Sequence, residues 1–149
     1  MPALALVRAQ REGWKLALLF LDLDRFKAIN DERGHAVGDA VLQAFARRLQ
    51  ACVRATDTVV RLAGDEFVIL VEGLNEAGDA TAVAEKILQA MEEPMVLGSL
   101  RLDAAASIGV ALHEGQAGQT AEQLLAQADA ALYEAKRAGG QRYVLRSAV

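Results

Sequence analysis

The stretch KLALLFLDLD, residues 15–24, combines an unbroken apolar run with two acidic residues at its end. The six apolar residues from Leu16 to Leu21 are too few for a typical helix, and they predict a strand over residues 15–23 that is buried on both faces. Asp22 directly follows this run, and a carboxylate at the end of a buried strand is costly unless it is paired, hydrogen-bonded or metal-bound. Asp22 is therefore the first candidate for a functional residue.

The segments around this strand carry alternating helical and strand patterns. Apolar spacing and capping residues predict helices over residues 3–12, 24–34, 39–54, 79–91 and 120–138, with Asp24 as the cap of the second. Further strands are predicted over residues 58–62, 67–72, 95–97, 102–112 and 142–145. The order α-β-α-α-β-β-α-β-β-α-β predicts an α+β fold in which helices flank a mainly antiparallel sheet.

Length and charge limit the kinds of protein that this chain can be. Its 149 residues fit a single domain spanning 1–149, and its net charge of −4 argues against general binding to nucleic acid or to a membrane surface. The single cysteine, Cys52, excludes an internal disulfide framework. No apolar run is long enough to span a bilayer, and the first residues lack a signal-peptide pattern, so we expect a cytoplasmic domain.

A second acidic cluster lies on the connection between two predicted strands. Residues 63–66, AGDE, contain Asp65 and Glu66 and predict a hairpin turn. Carboxylates at the ends of neighbouring strands, which lie about 4.8 Å apart, can meet over one cation, and hard oxygen ligands suit Mg²⁺. The alternative is that Asp24 serves only as a helix cap and Asp65 only as a turn residue. The residues favour this alternative for Asp24, while Asp22 and Asp65 stay open as candidates.

Several separated motifs resemble the GGDEF family of diguanylate cyclases, in the same order along the chain. They are FLDLDRFKAIND (20–31), GHAVGDAVL (34–42), AGDEF (63–67), AASIGV (105–110) and ADAALYEAK (128–136). The resemblance implies a palm-like fold similar to nucleotidyl cyclases. It also implies an enzyme that joins two GTP molecules into cyclic di-GMP and releases two pyrophosphates.

The resemblance implies a set of catalytic and metal-binding residues. Asp22, the backbone carbonyl of Leu23 and Asp65 match the ligands of Mg²⁺ or Mn²⁺, a cation that neutralises triphosphate charge and activates a 3′-hydroxyl. Glu66 matches a second acidic group, which either holds a second metal ion or accepts a proton. The residues alone leave these two roles of Glu66 open.

The resemblance also implies residues that bind the GTP molecule. Asn30, His35 and Asp39 match guanine-binding positions, although without the surrounding motifs they are ordinary helix-end and loop residues. The backbone N–H groups of Phe26 and Lys27, at a helix start, are suited to phosphate oxygens. Lys136 matches the lysine that binds the triphosphate in the family.

The tetrapeptide RATD, residues 54–57, has the R-x-x-D pattern of the family's inhibitory site. There the product is expected to bind as an intercalated dimer, with Arg54 on its phosphates and guanines, Asp57 on a guanine edge and Arg61 assisting. The pattern is short, and its position ahead of the hairpin is what distinguishes it from a chance match.

Three departures from the family pattern affect the expected activity. Ala63 replaces a usual glycine, Gly140 stands where a second phosphate-binding arginine or lysine is common, and the usual opening segment of the family is missing before Met1. Arg137 or Arg142 is the alternative source of the missing phosphate contact. Catalysis requires two facing GTP molecules, so the resemblance implies a transient homodimer and an upstream sensory or receiver domain that assembles it. The alternative function is a catalytically silent module that binds GTP or cyclic di-GMP.

Overall fold

Residues 2–115 and 118–147, which the computed structural model describes, form five helices and seven strands. The helices are α1 (Pro2–Glu12), α2 (Phe26–Arg33), α3 (His35–Cys52), α4 (Ala77–Ala90) and α5 (Ala121–Arg137). The strands are β1 (Lys15–Leu23), β2 (Thr58–Ala63), β3 (Glu66–Leu74), β4 (Met95–Leu97), β5 (Leu100–Leu102), β6 (Ala106–His113) and β7 (Tyr143–Ser147). No helix within these ranges is long and apolar enough to cross a membrane.

The central sheet has the strand order β2-β3-β1-β6-β7 and is antiparallel except between β6 and β7. Strand β1 lies in the middle, and its residues from Leu16 to Leu21 are at most 6% exposed. Helices cover both faces of the sheet, which is why this strand is a continuous apolar run and not an alternating one. The predicted α+β fold with a mainly antiparallel sheet is confirmed.

Alternate residues of β1 supply two separate apolar layers. Ala17, Leu19 and Leu21 pack in the layer that contains α3 and α4, while Leu16 and Leu18 pack in the layer that contains α1 and α5. In the first layer, the rings of Phe45 on α3 and Phe67 on β3 meet edge to face, with centroids 5.2 Å apart. These contacts hold the helices in place around the strand ends.

Helix α5 lies directly against the backbone of β6. A Cβ atom on Gly109 would stand 2.0 Å from the carbonyl oxygen of Ala128 and 2.3 Å from the amide nitrogen of Leu132, so only glycine permits this approach. The predicted capping box starts α5, with Gln123 N donating to Thr120 Oγ1 at 3.1 Å. The close packing brings the last turn of α5, which carries Lys136, to the end of β1.

Three local predictions were wrong. The predicted strand over residues 102–112 is two strands in different sheets, because Leu102 pairs with Met95 whereas Ala106 pairs with Leu23 of β1. Asp24 is not a helix cap: α2 begins after Arg25, which has a left-handed backbone conformation with φ 60°. Helix α3 begins at residue 35 and not at 39, because the turn at Gly34 is tight enough for the helix to start directly after it.

Candidate active site

The acidic end of β1 meets the tip of the β2–β3 hairpin. Asp22 stands opposite Glu66 of β3 on one side and opposite Ser107 of β6 on the other. Residues directly opposite each other in antiparallel strands direct their side chains to the same face of the sheet. The two acidic clusters separated by about forty residues of sequence therefore lie together, at one edge of the molecule.

A lysine from the opposite end of the chain joins this cluster. Lys136 Nζ lies 2.5 Å from Asp22 Oδ1 and 3.4 Å from Asp24 Oδ1. The side chains of Asp22 and Asp24 are only 16% and 17% exposed, so the ammonium group lies between two partly buried carboxylates. The contact shows that this pair of acids attracts a cation.

Proton affinities in the cluster are shifted by burial and by the neighbouring charges. Partial burial raises the pKa of Asp22 above its ordinary value, Lys136 partly opposes this increase, and the negative charges of Asp65 and Asp24 add to it. Burial lowers the pKa of Lys136, but its contacts with Asp22 and Asp24 outweigh that effect and raise it overall. Lys136 therefore remains an ammonium group at neutral pH.

Asp24 is a structural anchor between three parts of the chain. Its Oδ1 accepts a hydrogen bond from Ser107 Oγ at 2.6 Å, and its Oδ2 accepts one from the backbone N–H of Gln141 at 2.8 Å. Ser107 is fully buried in β6 and was not among the predicted site residues. A signal for it existed in the sequence, because it is the one hydroxyl residue in an otherwise apolar strand from Ala106 to Leu112.

Gly140 packs against the same carboxylate. Its φ is +74°, and a Cβ atom on it would stand 2.8 Å from Asp24 Oδ2. The site thus has no space for a longer side chain at this position while Asp24 keeps its hydrogen bonds. A cavity of about 500 Å³ opens beside this loop, lined in part by Arg25, Lys136 and Gln141.

The hairpin tip has an ordinary strand conformation at Ala63. This residue belongs to β2 and pairs with Glu66, whereas the left-handed conformation falls on Gly64, with φ 51°. The methyl group of Ala63 therefore adds no backbone strain. Arg61 Nε donates to the carbonyl oxygen of Gly64 at 2.7 Å, which ties Arg61 to the turn that carries Asp65.

The predicted base-binding residues lie where α2 meets α3. Asn30 is half-buried in the last turn of α2, and Gly34 N donates to its carbonyl oxygen at 2.8 Å. His35 and Asp39 are exposed on α3, four residues apart and therefore on one side of the helix. The structure brings the three residues to one corner, and their contact with a base remains a prediction.

The start of α2 adjoins the acidic cluster. Phe26 is the first residue of the helix, so its N–H and that of Lys27 lack partners one turn earlier. The preceding backbone is held in place because Asp24 N donates to the carbonyl oxygen of Ala105 at 2.8 Å. The helix N-terminus thus directs N–H groups and positive dipole charge beside Asp22 and Asp24.

The predicted inhibitory residues contact each other on another part of the surface. Arg54 Nη2 lies 3.3 Å from Asp57 Oδ1 and donates to the carbonyl oxygen of Glu72 at 2.6 Å. The Asp57 side chain is only 1% exposed, because the Arg54 side chain lies over it and its Oδ2 accepts the N–H of Arg54 at 2.9 Å. A ligand that pairs with Asp57 has to displace this arginine. Arg61, the third predicted inhibitory residue, donates to the hairpin turn at Gly64 and not to Asp57.

The residues that were predicted to hold a divalent cation fit that role chemically. Within the described parts of the chain, no three His, Cys, Asp or Glu side chains are arranged to enclose a metal ion on their own. Mg²⁺ commonly takes only one or two protein carboxylates and fills its other positions with water and substrate phosphates. Asp22, Asp65 and the Leu23 carbonyl supply hard oxygen atoms of this kind, and Asp22 already pairs with a cation.

Comparison with known proteins gives consistent results over almost the whole chain. A family model described as "Diguanylate cyclase, GGDEF domain" matches residues 3–142. The chain is 45% identical over 139 residues to the bifunctional diguanylate cyclase/cyclic di-GMP phosphodiesterase MucR of Pseudomonas aeruginosa, covering 93% of this chain. It spans only 20% of the length of that relative.

Solved structures show the same fold. The GGDEF domain of TpbB (YfiN) from Pseudomonas aeruginosa superposes with a TM-score of 0.92 at 40% identity, covering 96% of this chain and 83% of that one. The GGDEF domain of DgcB from Caulobacter crescentus, in complex with c-di-GMP, superposes with a TM-score of 0.85 at 27% identity, covering 96% and 84%. These similarities confirm the palm-like fold that was predicted from the motifs.

Proposed function

This chain belongs to the GGDEF family of diguanylate cyclase domains, and on that basis we propose that it condenses two GTP molecules into cyclic di-GMP and releases two pyrophosphates. The observation that carries the proposal is the meeting of Asp22, Glu66 and Lys136 at one end of the sheet. This arrangement places acidic groups for a cation next to a basic group for a triphosphate.

The metal site is formed by Asp22, Asp65 and the backbone carbonyl of Leu23, and it takes Mg²⁺ or Mn²⁺. A divalent cation bound there supplies positive charge to the triphosphate oxygens and lowers the pKa of the attacking 3′-hydroxyl. Asp22 is held ready for this role by its partial burial, which limits hydration of the carboxylate. Lys136, which contacts Asp22, would find a second anionic partner in a triphosphate bound beside it.

The triphosphate lies between the start of α2 and the end of α5. The N–H groups of Phe26 and Lys27 donate to phosphate oxygens, and Lys136 contributes a full positive charge. Gly140 has no side chain, so no second cation comes from that position. Arg142 Nε donates to the carbonyl oxygen of Gly140 at 3.0 Å, so the guanidinium group of Arg142 lies on the same loop and is the candidate for a second phosphate contact beside Lys136.

Guanine is recognised at the corner of α2 and α3. The Asp39 carboxylate accepts hydrogen bonds from the N1–H and N2–H₂ edge of the base, and the Asn30 amide and His35 serve its other polar groups. Adenine lacks the two donors of that edge and leaves Asp39 unpaired. This penalty selects GTP over ATP.

Each turnover joins two GTP molecules held by two copies of the domain. The 3′-oxygen of each GTP forms a bond to the α-phosphorus of the other, the bond from that phosphorus to the β-bridging oxygen breaks, and pyrophosphate leaves. Glu66 would either accept the 3′-hydroxyl proton or help to hold a second cation, in which case the proton would pass to water. Two facing sites require a transient homodimer, which a further sensory or receiver domain outside this chain assembles.

Cyclic di-GMP inhibits the enzyme by binding at Arg54 and Asp57. Arg54 offers its guanidinium group to product phosphates, and its release from Asp57 exposes the carboxylate to a guanine edge. A cavity of about 450 Å³ beside these residues is also lined by Lys86. The solved complex of the DgcB domain with c-di-GMP supports binding of this product by the fold.

The second candidate function is a silent module that binds GTP or cyclic di-GMP. The observation in its favour is the glycine at position 140, which offers no side chain to a phosphate and whose Cβ position is obstructed by Asp24. The strand conformation of Ala63 supports the cyclase, because its methyl group adds no left-handed strain to the hairpin that carries Asp65 and Glu66.

Incubation of concentrated protein with GTP and Mg²⁺, followed by chromatography, distinguishes the two functions. The cyclase yields cyclic di-GMP and pyrophosphate in a ratio of one to two, and chelation of the metal stops the reaction. Binding of GTP without product at high protein concentration supports the silent module instead.

A further inference from the structure

Gly38, near the start of α3, touches the side chain of Asn30 on α2. A Cβ atom on Gly38 would stand 1.8 Å from Asn30 Oδ1 and 2.9 Å from Asn30 Cγ. Atoms in proteins do not approach this closely, so any residue other than glycine at position 38 has to displace the Asn30 amide.

The backbone does not require glycine at this position. Gly38 lies inside a helix and has no left-handed φ, in contrast to Gly34, whose φ is +89°. Glycine in a helix interior is unfavourable compared with alanine, so α3 loses stability by carrying it. The contact with Asn30 explains why glycine occupies position 38, whereas the helix backbone does not require it.

The two helices are joined rigidly around this contact. Gly34 N donates to the carbonyl oxygen of Asn30 at 2.8 Å, and Gly38 N donates to the carbonyl oxygen of Gly34 at 3.1 Å. Asn30 is thus fixed through its backbone, and its side chain extends over the buried Cα of Gly38. Asp39 follows directly in sequence, so the same turn of α3 places both the amide of Asn30 and the carboxylate of Asp39.

We propose that Gly38 is a positioning residue for base recognition. By leaving its side-chain position empty, it lets the Asn30 amide lie beside Asp39 in the arrangement that receives guanine. The inference rests on the proposed function, in which Asn30 and Asp39 contact the base. Gly38 itself touches no substrate and acts through Asn30.

The test is a double-mutant cycle of Gly38→Ala and Asn30→Ala, read out by GTP and ATP binding and by steady-state kinetics. Gly38→Ala is expected to weaken GTP binding about tenfold, the effect of losing one hydrogen bond, and to leave the weaker ATP binding unchanged. KM for GTP rises with little change in kcat. In the Asn30→Ala background the added methyl group has no further effect, because the amide that it displaces is gone.

Gly78→Ala is the matched control, because Gly78 is a helical glycine in α4 whose Cβ position is open. It is expected to leave GTP binding unchanged. The inference is overturned if Gly38→Ala binds GTP within twofold of the unmodified protein, or if it weakens GTP binding equally with and without Asn30.

Urea unfolding of the same variants separates this inference from the proposed function. Steric coupling predicts that Asn30→Ala restores the stability that Gly38→Ala removes, even if Gly38→Ala alone fails to fold. If the double variant is as unstable as the single one, the inference is overturned. If the unmodified protein binds no GTP, the proposed function fails, and base positioning by Gly38 fails with it, whatever the unfolding cycle shows.

Discussion

Lys136 Nζ lies 2.5 Å from Asp22 Oδ1, although 114 residues separate the two in sequence. The close packing of α5 on β6 at Gly109 makes the contact possible. The pair joins the residue predicted to hold the cation to the residue predicted to hold the triphosphate. Under the proposed function, nucleotide binding exchanges this ionic contact for one between Asp22 and the cation and one between Lys136 and the triphosphate.

Replacing Lys136 with methionine keeps the side-chain length and removes the charge. Because Lys136 is the ammonium group that contacts the acidic cluster, we expect KM for GTP to rise about tenfold or more, the effect of losing a charge-assisted contact. Steady-state kinetics measure the change. Arg137→Met is the matched control on the same turn, and an equal effect in both variants contradicts a specific role for Lys136.

Asp22→Asn is expected to stabilise the metal-free protein at neutral pH while abolishing turnover. Burial raises the pKa of Asp22 in the folded state, so the folded protein binds this proton more tightly than the unfolded chain. Stability therefore falls as the pH rises from the ordinary pKa of an aspartate to the raised pKa of Asp22 in the folded state. Above the raised pKa, the full cost of burying the charge is present.

Urea unfolding in a chelating buffer between pH 4 and pH 8 measures this effect. The asparagine variant is expected to lose that component of the pH dependence, whereas Asp103→Asn, at an exposed position, keeps it. Equal curves for the Asp22 variant and the unmodified protein contradict the predicted burial cost.

Asp65→Asn is expected to reduce turnover by at least about 100-fold, since a metal ion contributes several kcal/mol of transition-state stabilisation. The turn at Gly64 remains intact, because its φ and the Arg61 contact do not depend on the carboxylate. Cyclic di-GMP formation over a range of Mg²⁺ concentrations measures the loss. Turnover that survives with an unchanged Mg²⁺ requirement removes Asp65 from the metal site.

Gly140→Arg, which restores the residue common in the family, is not expected to raise activity. The left-handed backbone at φ +74° and the contact with Asp24 both oppose a side chain, and we expect a loss of stability of about 1–2 kcal/mol. Gly140→Ala adds only the Cβ atom, and we expect it to lower the stability by a similar amount. A stable arginine variant with a lower KM for GTP shows that the loop adapts and contradicts this prediction.

Arg54→Ala is expected to weaken cyclic di-GMP binding about tenfold or more while leaving GTP binding unchanged, because Arg54 lies on a different surface from Lys136. Calorimetry with each nucleotide measures both affinities. Arg101→Ala, an exposed arginine on β5, is the control. Unchanged affinity for cyclic di-GMP removes Arg54 from the inhibitory site.

The fold was largely predictable because its main elements have strong local patterns. The apolar run of β1 and the capping box at Thr120 each define an element from neighbouring residues alone. The break at residues 103–105 was missed although Asp103 and the two alanines after it are unfavourable in strands, because the apolar residues on both sides resemble one continuous strand. The helical start at His35 was missed because it depends on the tight turn at Gly34.

The residue order alone identified the family and the candidate acids, since each motif is a short run of neighbouring residues that can be recognised without the fold. It could not show that Asp24 anchors Ser107 and Gln141, that Gly140 leaves no space for an arginine, or that Gly38 makes room for Asn30. Each of those facts is a distance of a few ångströms between segments that are separated along the chain. Such distances arise only when the sheet register and the packing of α2, α3 and α5 are complete, because close packing leaves one arrangement for atoms in contact.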